Sequence, residues 1–219
     1  MLFPFGIIEN IYPRSRQRSG SFSITAENTR RSRMICPWAL KDEFLKAYHD
    51  EEWCRPHHDD TYLFEMLILE GAQAGLSWST ILKRREGYRK TFFHFDISRC
   101  AGMTDEEMEE IGRTAPVIRN RRKINSVRKN ARAVLAIQKE WGSFSRYLWH
   151  FTENKIIVHH LQDNDDLPAS SPLSEKISDD LKKRGCTFAG PVIIYSFLQA
   201  AGIINDHLES CPFRSTNRT

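Results

Sequence analysis

From residue 39 onward, apolar residues recur at three- and four-residue steps almost without interruption, and no alternating run of convincing strand length breaks the pattern. In "DDTYLFEMLILEGAQA", Leu63, Met66, Leu67 and Glu70 keep that step behind acidic residues suited to a helix start. Gly75 interrupts the period, and "SWSTILKRREGYRKTFF" resumes it. "TDEEMEEIG" opens with Thr104 and Glu107 at the spacing of a capping box, in which each side chain satisfies the other residue's free backbone amide. Pro172 and Gly185 bracket a further helix. Pro191 opens "PVIIYSFLQAAG", apolar nearly all round and therefore expected in the core. The one stretch with strand character, "KIIVHHL", is too short to build a sheet alone. The expectation is an all-α fold without internal repeats.

With 219 residues and 40% hydrophobic content, the chain can bury a sizeable core, and its length suits one or two domains. No apolar run approaches the roughly 18 residues of a spanning helix, so a soluble protein with no membrane partner is expected. The opening "MLFPFGII" has no charged region before it, contains Pro4 and runs into Arg-rich polar sequence, which argues against a secretory signal. Five cysteines, an odd number at irregular spacings, favour reduced thiols and a cytoplasmic setting. The net charge of +4 lies entirely in residues 1–33, where six arginines face two glutamates. That segment mixes Ser, Arg, Gly and Pro without a sustained period, and reads as a flexible basic N-terminal extension before a helical domain over 34–219. Met34 stands just before the first patterned segment and is the expected true start; Glu9-containing peptides in the native protein would rule that out.

Three constellations carry chemistry. Between Arg113 and Arg132 lie Arg119, Arg121, Arg122, Lys123, Arg128 and Lys129 with no acidic residue among them. A helix, a tight turn at Ala115 to Ile118 and a second basic helix would form a hairpin able to grip phosphates with amides and cations. From charge alone a solvated helical face is the slightly favoured reading, although a one-sided cluster in an otherwise neutral domain narrows the gap. The second constellation joins "AYHDEEW" with "LEGAQAGLSW". Glu70 on an apolar stripe must be exposed, paired, protonated or functional, because a lone buried anion costs several kcal/mol. Tyr48, Trp53 and Trp78 offer flat faces for stacking, although aromatics at helical spacing are more often core, and Gly75 lets the backbone come close to a ligand. The third constellation is Cys36 and His49 near the start of the patterned region with His207 and Cys211 near its end. Two thiols and two imidazoles suit tetrahedral zinc, but this is not the common finger spacing, and buried cysteines with surface histidines remain the alternative.

The ordered motifs "CPW", "AYHDEEW", "LFEMLILEGAQAGLSWSTILKRRE" and "KRGCTFAGPVIIYSFLQAAGIINDH", closed by Cys211, resemble the type I DNA-3-methyladenine glycosylases of bacteria over about four fifths of the chain. The resemblance implies a helix-hairpin-helix DNA glycosylase fold, with a zinc site joining the N- and C-terminal ends through Cys36, His49, His207 and Cys211. It further implies a base-excision-repair enzyme that acts as a monomer on double-stranded alkylated DNA and removes 3-methyladenine. Residue by residue, Glu70 matches the carboxylate that reads the extruded base and is the expected catalytic residue. Trp78 matches the stacking aromatic, Tyr48 and Trp53 match pocket walls, and Gly75 and Leu76 match the loop that fills the gap in the duplex. Arg119, Arg121, Arg122 and Lys123 fall in the phosphate-gripping hairpin. Read this way, Glu70 would be an anion that attracts a cationic lesion, and zinc would be a staple without a part in the reaction.

The family lacks the Asp that other helix-hairpin-helix glycosylases use, and no motif positions a lysine as a Schiff-base nucleophile, so a monofunctional enzyme is expected. The chain departs from the family pattern at Pro116 and Arg122, where glycines are frequent, at Ala72, where Gln is common, and at Leu45, where an aromatic is often found. Competing classes are a noncatalytic lesion-binding domain and a zinc-stapled protein-interaction module. The first would release no base, and the second would show no salt-dependent DNA affinity.

Overall fold

The computed structural model describes residues 34–217, with the side chains of residues 165 and 215–217 left aside. The proposed flexible extension over 1–33 lies outside the described residues. Among the described residues, ten α-helices carry the fold: α1 (Glu43–Glu51), α2 (Asp60–Gln73), α3 (Trp78–Leu82), α4 (Arg85–Thr91), α5 (Ile97–Gly102), α6 (Asp105–Thr114), α7 (Arg121–Trp141), α8 (Phe144–His150), α9 (Pro172–Lys183) and α10 (Pro191–Ala200). The helical expectation therefore holds. "KIIVHHL" does supply a strand, but a minimal one: β1 (Ile157–Val158) pairs in parallel with β2 (Ile204–Asn205).

Local signals set the helix boundaries. Thr104 and Glu107 form both halves of the capping box that starts α6, with Thr104 N donating to Glu107 Oε2 at 2.8 Å and Glu107 N to Thr104 Oγ1 at 3.2 Å. Asp42, Asp59, Ser77 and Ser143 each accept a first-turn amide at the starts of α1, α2, α3 and α8. Pro172 and Pro191 occupy first-turn positions, where the missing amide hydrogen is no loss, and Gly185 closes the α9 region at φ 95°.

The core is continuous around α2, whose Leu63, Phe64, Met66, Leu67 and Leu69 are buried on all sides. Ile194, Phe197 and Leu198 of α10 pack into the same core, as do Val127, Ala131 and Val134 of α7. Beside it, Arg85 is buried and donates to Glu65 Oε1 at 2.8 Å and to both Glu52 oxygens at 2.6 and 2.8 Å, so these charges are satisfied as a network. The two ends of the described chain meet, with Met34 N donating to Ser210 O at 3.1 Å. Among the described residues no helix is long and apolar enough to cross a membrane.

Candidate active site and metal-binding cluster

α2 runs through the core and delivers Glu70 one turn before its C-terminus, on the wall of a small cleft of about 200 Å³. Tyr48 from α1, Trp53 just after α1 and Trp78 at the start of α3 line the same cleft. The three aromatics and the carboxylate singled out in the sequence thus come together. The Tyr48 and Trp78 rings meet edge to face with centroids 5.3 Å apart. Among the described residues, the Tyr48 hydroxyl and the Trp78 indole N–H are buried without a hydrogen-bond partner. Buried polar atoms normally find partners, so two orphans in one cleft mark a place shaped for a polar guest.

Glu70 is 5% exposed, and burial alone pushes its carboxyl from the ordinary 4.5 up to about 8. Among the described residues, no neighbouring cation or donor pulls it back down. Of the four fates open to it, burial therefore favours protonation at neutral pH. Burial likewise holds the Tyr48 phenol well above its usual pKa, with the nearby Glu70 charge adding to the effect.

Glu70 and Gln73 also line a second cleft of about 180 Å³, which opens between Gly75, Leu76 and the first turn of α10. Gly75 turns at φ 76°, a conformation costly for a residue with a Cβ, and Leu76 is 39% exposed at its tip. Val192 of α10 stands across this second cleft and is 56% exposed.

α6 and α7 form the hairpin, and the connection runs on to Asn120, whose side chain accepts from the amides of Arg122 at 3.0 Å and Lys123 at 3.2 Å. The turn rests on α4: Ile118 N donates to Tyr88 Oη at 3.2 Å, and a Cβ on Gly87 would lie 2.6 Å from the Pro116 carbonyl oxygen. Arg119, Arg121 and Arg122 are exposed, whereas Lys123 is buried. The Lys123 ammonium donates to the carbonyls of Ala72 at 2.8 Å and Ala74 at 2.6 Å, so its grouping with the outward-facing cations is corrected here. Arg128 and Arg132 are also engaged, on the carbonyls of Met103 at 2.8 Å and Ala101 at 2.9 Å. A concavity of about 620 Å³ lies between α6 and α7 with charged walls that include Arg113, Arg119, Arg121 and Lys129, and it contains none of the aromatic residues of the Glu70 cleft.

Cys36, His49, His207 and Cys211 converge from opposite ends of the sequence, all four buried, with their ligand atoms within 4.8 Å of one another. Cys211 Sγ lies 3.5 Å from His49 Nε2 and 3.5 Å from His207 Nδ1, and Cys36 Sγ lies 3.8 Å from His207 Nδ1. His49 Nδ1 hydrogen-bonds Asp50 Oδ1 at 2.7 Å, the supporting contact that orients a metal-ligating imidazole. This set could hold a metal ion. Trp53 packs against both imidazoles, 5.7 Å from His49 and 4.7 Å from His207 between ring centroids, and Trp38 meets Trp53 at 4.9 Å. Trp38 also lines the Glu70 cleft. Sequence reasoning missed it as a pocket residue, although it sits two positions after Cys36 in "CPW".

A family model described as methyladenine glycosylase matches residues 38–215. The chain belongs to the methyladenine glycosylase family. A DNA-3-methyladenine glycosylase of Haemophilus influenzae is 40% identical over 181 residues, which is 83% of this chain and 98% of that one. DNA-3-methyladenine glycosylase 1 of Escherichia coli is 43% identical over 176 residues, 80% of this chain and 94% of that one. The 3-methyladenine DNA glycosylase I of Staphylococcus aureus, a structure solved for its recognition of 3-methyladenine, superposes with a TM-score of 0.80 at 34% identity, over 82% of this chain and 96% of that one. This family member is therefore a glycosylase, and Glu70, Tyr48 and Trp78 lie in a cleft that combines a buried carboxyl with aromatic faces.

Proposed function

We propose that the protein is a monofunctional glycosylase of base-excision repair that binds double-stranded alkylated DNA, flips 3-methyladenine into the Glu70 cleft and hydrolyses its glycosidic bond to leave an abasic site. The observation that carries this reading is a buried carboxyl with no compensating partner, faced by aromatic rings, at the foot of an exposed glycine-leucine tip. An enzyme cannot reach the glycosidic bond inside the base stack, so the nucleotide must leave the duplex and Leu76 would occupy the hole. Methylation at N3 makes the adenine cationic. When the bond to C1′ breaks, its electron pair returns to the base, which departs neutral, while water supplies the oxygen at C1′ and gives up a proton.

Glu70 would read the positive charge and thereby discriminate against neutral adenine. Exposed Arg119, Arg121 and Arg122 would meet phosphates, with side chains serving where Pro116 has no amide to offer. Lys123, the one lysine buried among the described residues, commits its ammonium to two backbone carbonyls, which supports hydrolysis without a Schiff base.

Zinc fits the four-residue cluster. Zn–S bonds of about 2.3 Å and Zn–N bonds of about 2.0–2.1 Å place tetrahedral ligand atoms roughly 3.3–3.8 Å apart; three of the sulfur–nitrogen pairs here lie 3.5, 3.5 and 3.8 Å apart, and all four ligand atoms lie within 4.8 Å of one another. Four protein ligands leave no open position, so the ion would tie the chain ends together and add folding free energy.

The test is release of free bases from methylated DNA, resolved by chromatography. Wild-type protein should liberate 3-methyladenine, and Glu70→Gln should lose most of that activity. A folded wild-type protein that binds methylated DNA yet releases no base would overturn the proposal.

A further inference from the structure

Lys123 stands among Arg119, Arg121 and Arg122, yet its side chain turns inward. At 8% exposure its ammonium is held by the carbonyl oxygens of Ala72 and Ala74, at 2.8 and 2.6 Å. Lysine is seldom buried without a specific partner, and here the partners lie where a helix most needs them. α2 ends at Gln73, Ala74 leaves the helical region with ψ 114°, and Gly75 reverses the chain at φ 76°. A helix end leaves carbonyls without intrahelical partners, and a cation there also meets the negative end of the aligned peptide dipoles.

Both ends of this contact are anchored. On the hairpin side the Lys123 amide is capped by Asn120, and the turn before it is tied to α4 through Tyr88. On the loop side Leu76 N donates to Gln73 O at 2.6 Å, and Ser77 Oγ accepts from Thr80 N at 3.2 Å as α3 begins. Gly75 and Leu76 are thus suspended between two fixed points. One of those points is an ammonium that belongs to the hairpin.

We infer that Lys123 is a positioning residue that couples the phosphate-gripping hairpin to the Gly75–Leu76 tip, holding the gap-filling side chain in register when the hairpin engages DNA. This rests on the proposed extrusion of the base. A lysine that served only as a phosphate contact would have its ammonium in solvent, as Arg119, Arg121 and Arg122 have their guanidinium groups. A residue important only for general stability would act on the whole molecule rather than on one tip.

The test compares full-length wild type with Lys123→Met, which keeps the stem and removes the ammonium. Free 3-methyladenine, followed by quenching of the pocket tryptophans, should bind both within about twofold, and affinity for undamaged duplex should change little at any salt concentration. Affinity for duplex carrying a tetrahydrofuran abasic-site analogue should fall about tenfold or more, with little further loss when Leu76→Ala is added, since coupled residues are not additive.

Parallel loss on damaged and undamaged duplex, with a salt slope smaller by about one, would make Lys123 a phosphate ligand and overturn the inference. Equal loss of free-base binding would make its role generally structural, and full additivity with Leu76→Ala would remove the coupling. Should Lys123→Met fail to fold, Lys123→Gln keeps a shorter donor, and unchanged gap affinity in that variant would overturn the inference. Failure of the underlying function would show separately, as a wild type that neither prefers the gapped duplex nor releases 3-methyladenine.

Discussion

Replacing Glu70 by glutamine should stabilise the fold, by an amount that grows with pH. The carboxyl is pushed by burial from 4.5 up to about 8, so the folded protein keeps a proton that the unfolded chain releases. A carboxyl raised in this way is favourable to the fold below about pH 4.5, and that contribution is lost steadily as pH climbs toward 8, above which the loss is constant. Each pH unit in that window is worth about 1.4 kcal/mol, so Glu70 costs the fold about 1 kcal/mol at pH 5 and about 3 kcal/mol at pH 7. The glutamine amide has nearly the same shape and no proton to lose. The stability gain of Glu70→Gln over wild type should therefore widen by roughly 2–3 kcal/mol between pH 5 and pH 7, and level off above about pH 8. For a chain of this size that corresponds to roughly 5–10 °C in melting temperature. Chemical denaturation of both proteins across that range measures it, and taking the difference cancels other titrating groups and any metal linkage. A difference that stays flat, or narrows as pH rises, would refute the assignment of Glu70 as a buried, unpaired carboxyl.

Three further outcomes rest on particular contacts. Elemental analysis should find one zinc per chain, and Cys211→Ser or chelation should lower stability on the order of several kcal/mol, with excision lost only as the fold is lost; if gentle removal abolished excision at an unchanged melting temperature, the staple role would fail. Gly75→Ala meets no atom within 4 Å but must hold φ 76°, so its melting temperature should fall by a few degrees at most, reflecting about 1 kcal/mol of strain, while affinity for gapped duplex falls more. Arg85→Leu leaves Glu65 and Glu52 without their shared partner and should lower stability by about 3 kcal/mol in denaturant titration; a neutral result would show that Arg89 alone satisfies Glu65.

The helices were legible because their boundaries are written locally. The Thr104–Glu107 box, Pro172 and Pro191 each act within a turn of themselves, and each lies where the pattern put it. Residue types alone raised the metal-binding cluster only as one of two alternatives, and the family resemblance favoured it, since Cys36 and His207 are 171 positions apart and no periodic rule spans that distance. Lys123 was misread by counting charge instead of following period. It shares a helical stripe with Val127, Asn130 and Val134, all buried, at steps of four, seven and eleven residues. The place of Glu70 on an apolar stripe narrowed its state to a few options, but choosing among them needs its burial and its partners, which residue types along the chain do not dictate. The strand character of "KIIVHHL" was visible and holds β1, whereas β2 escaped notice for the reason that makes it minor: two residues carry no alternation to detect.

A carboxyl that rests neutral still selects for charge, provided that pairing outweighs ionisation. At pH 7, removing the proton from a group titrating at about 8 costs about 1.4 kcal/mol. A cation about 4 Å away returns about 4 kcal/mol even at an effective dielectric constant of 20. Under the proposed function, the balance would favour a cationic 3-methyladenine nucleotide by about 2–3 kcal/mol over the same base without charge. On this proposal neutral adenine would not offset the ionisation and would meet a protonated Glu70. After cleavage the base would be neutral, and Glu70 would recover a proton, so product would be held less tightly than substrate. The pH profile checks this account. With methylated DNA, kcat/KM should rise with pH until about pH 8 and then flatten, as the carboxyl ceases to need ionising. Glu70→Gln should lack that rising limb. A wild-type profile that falls between pH 6 and pH 8 would mean that the protonated carboxyl is the working form, and that hydrogen bonding, not charge, selects the lesion.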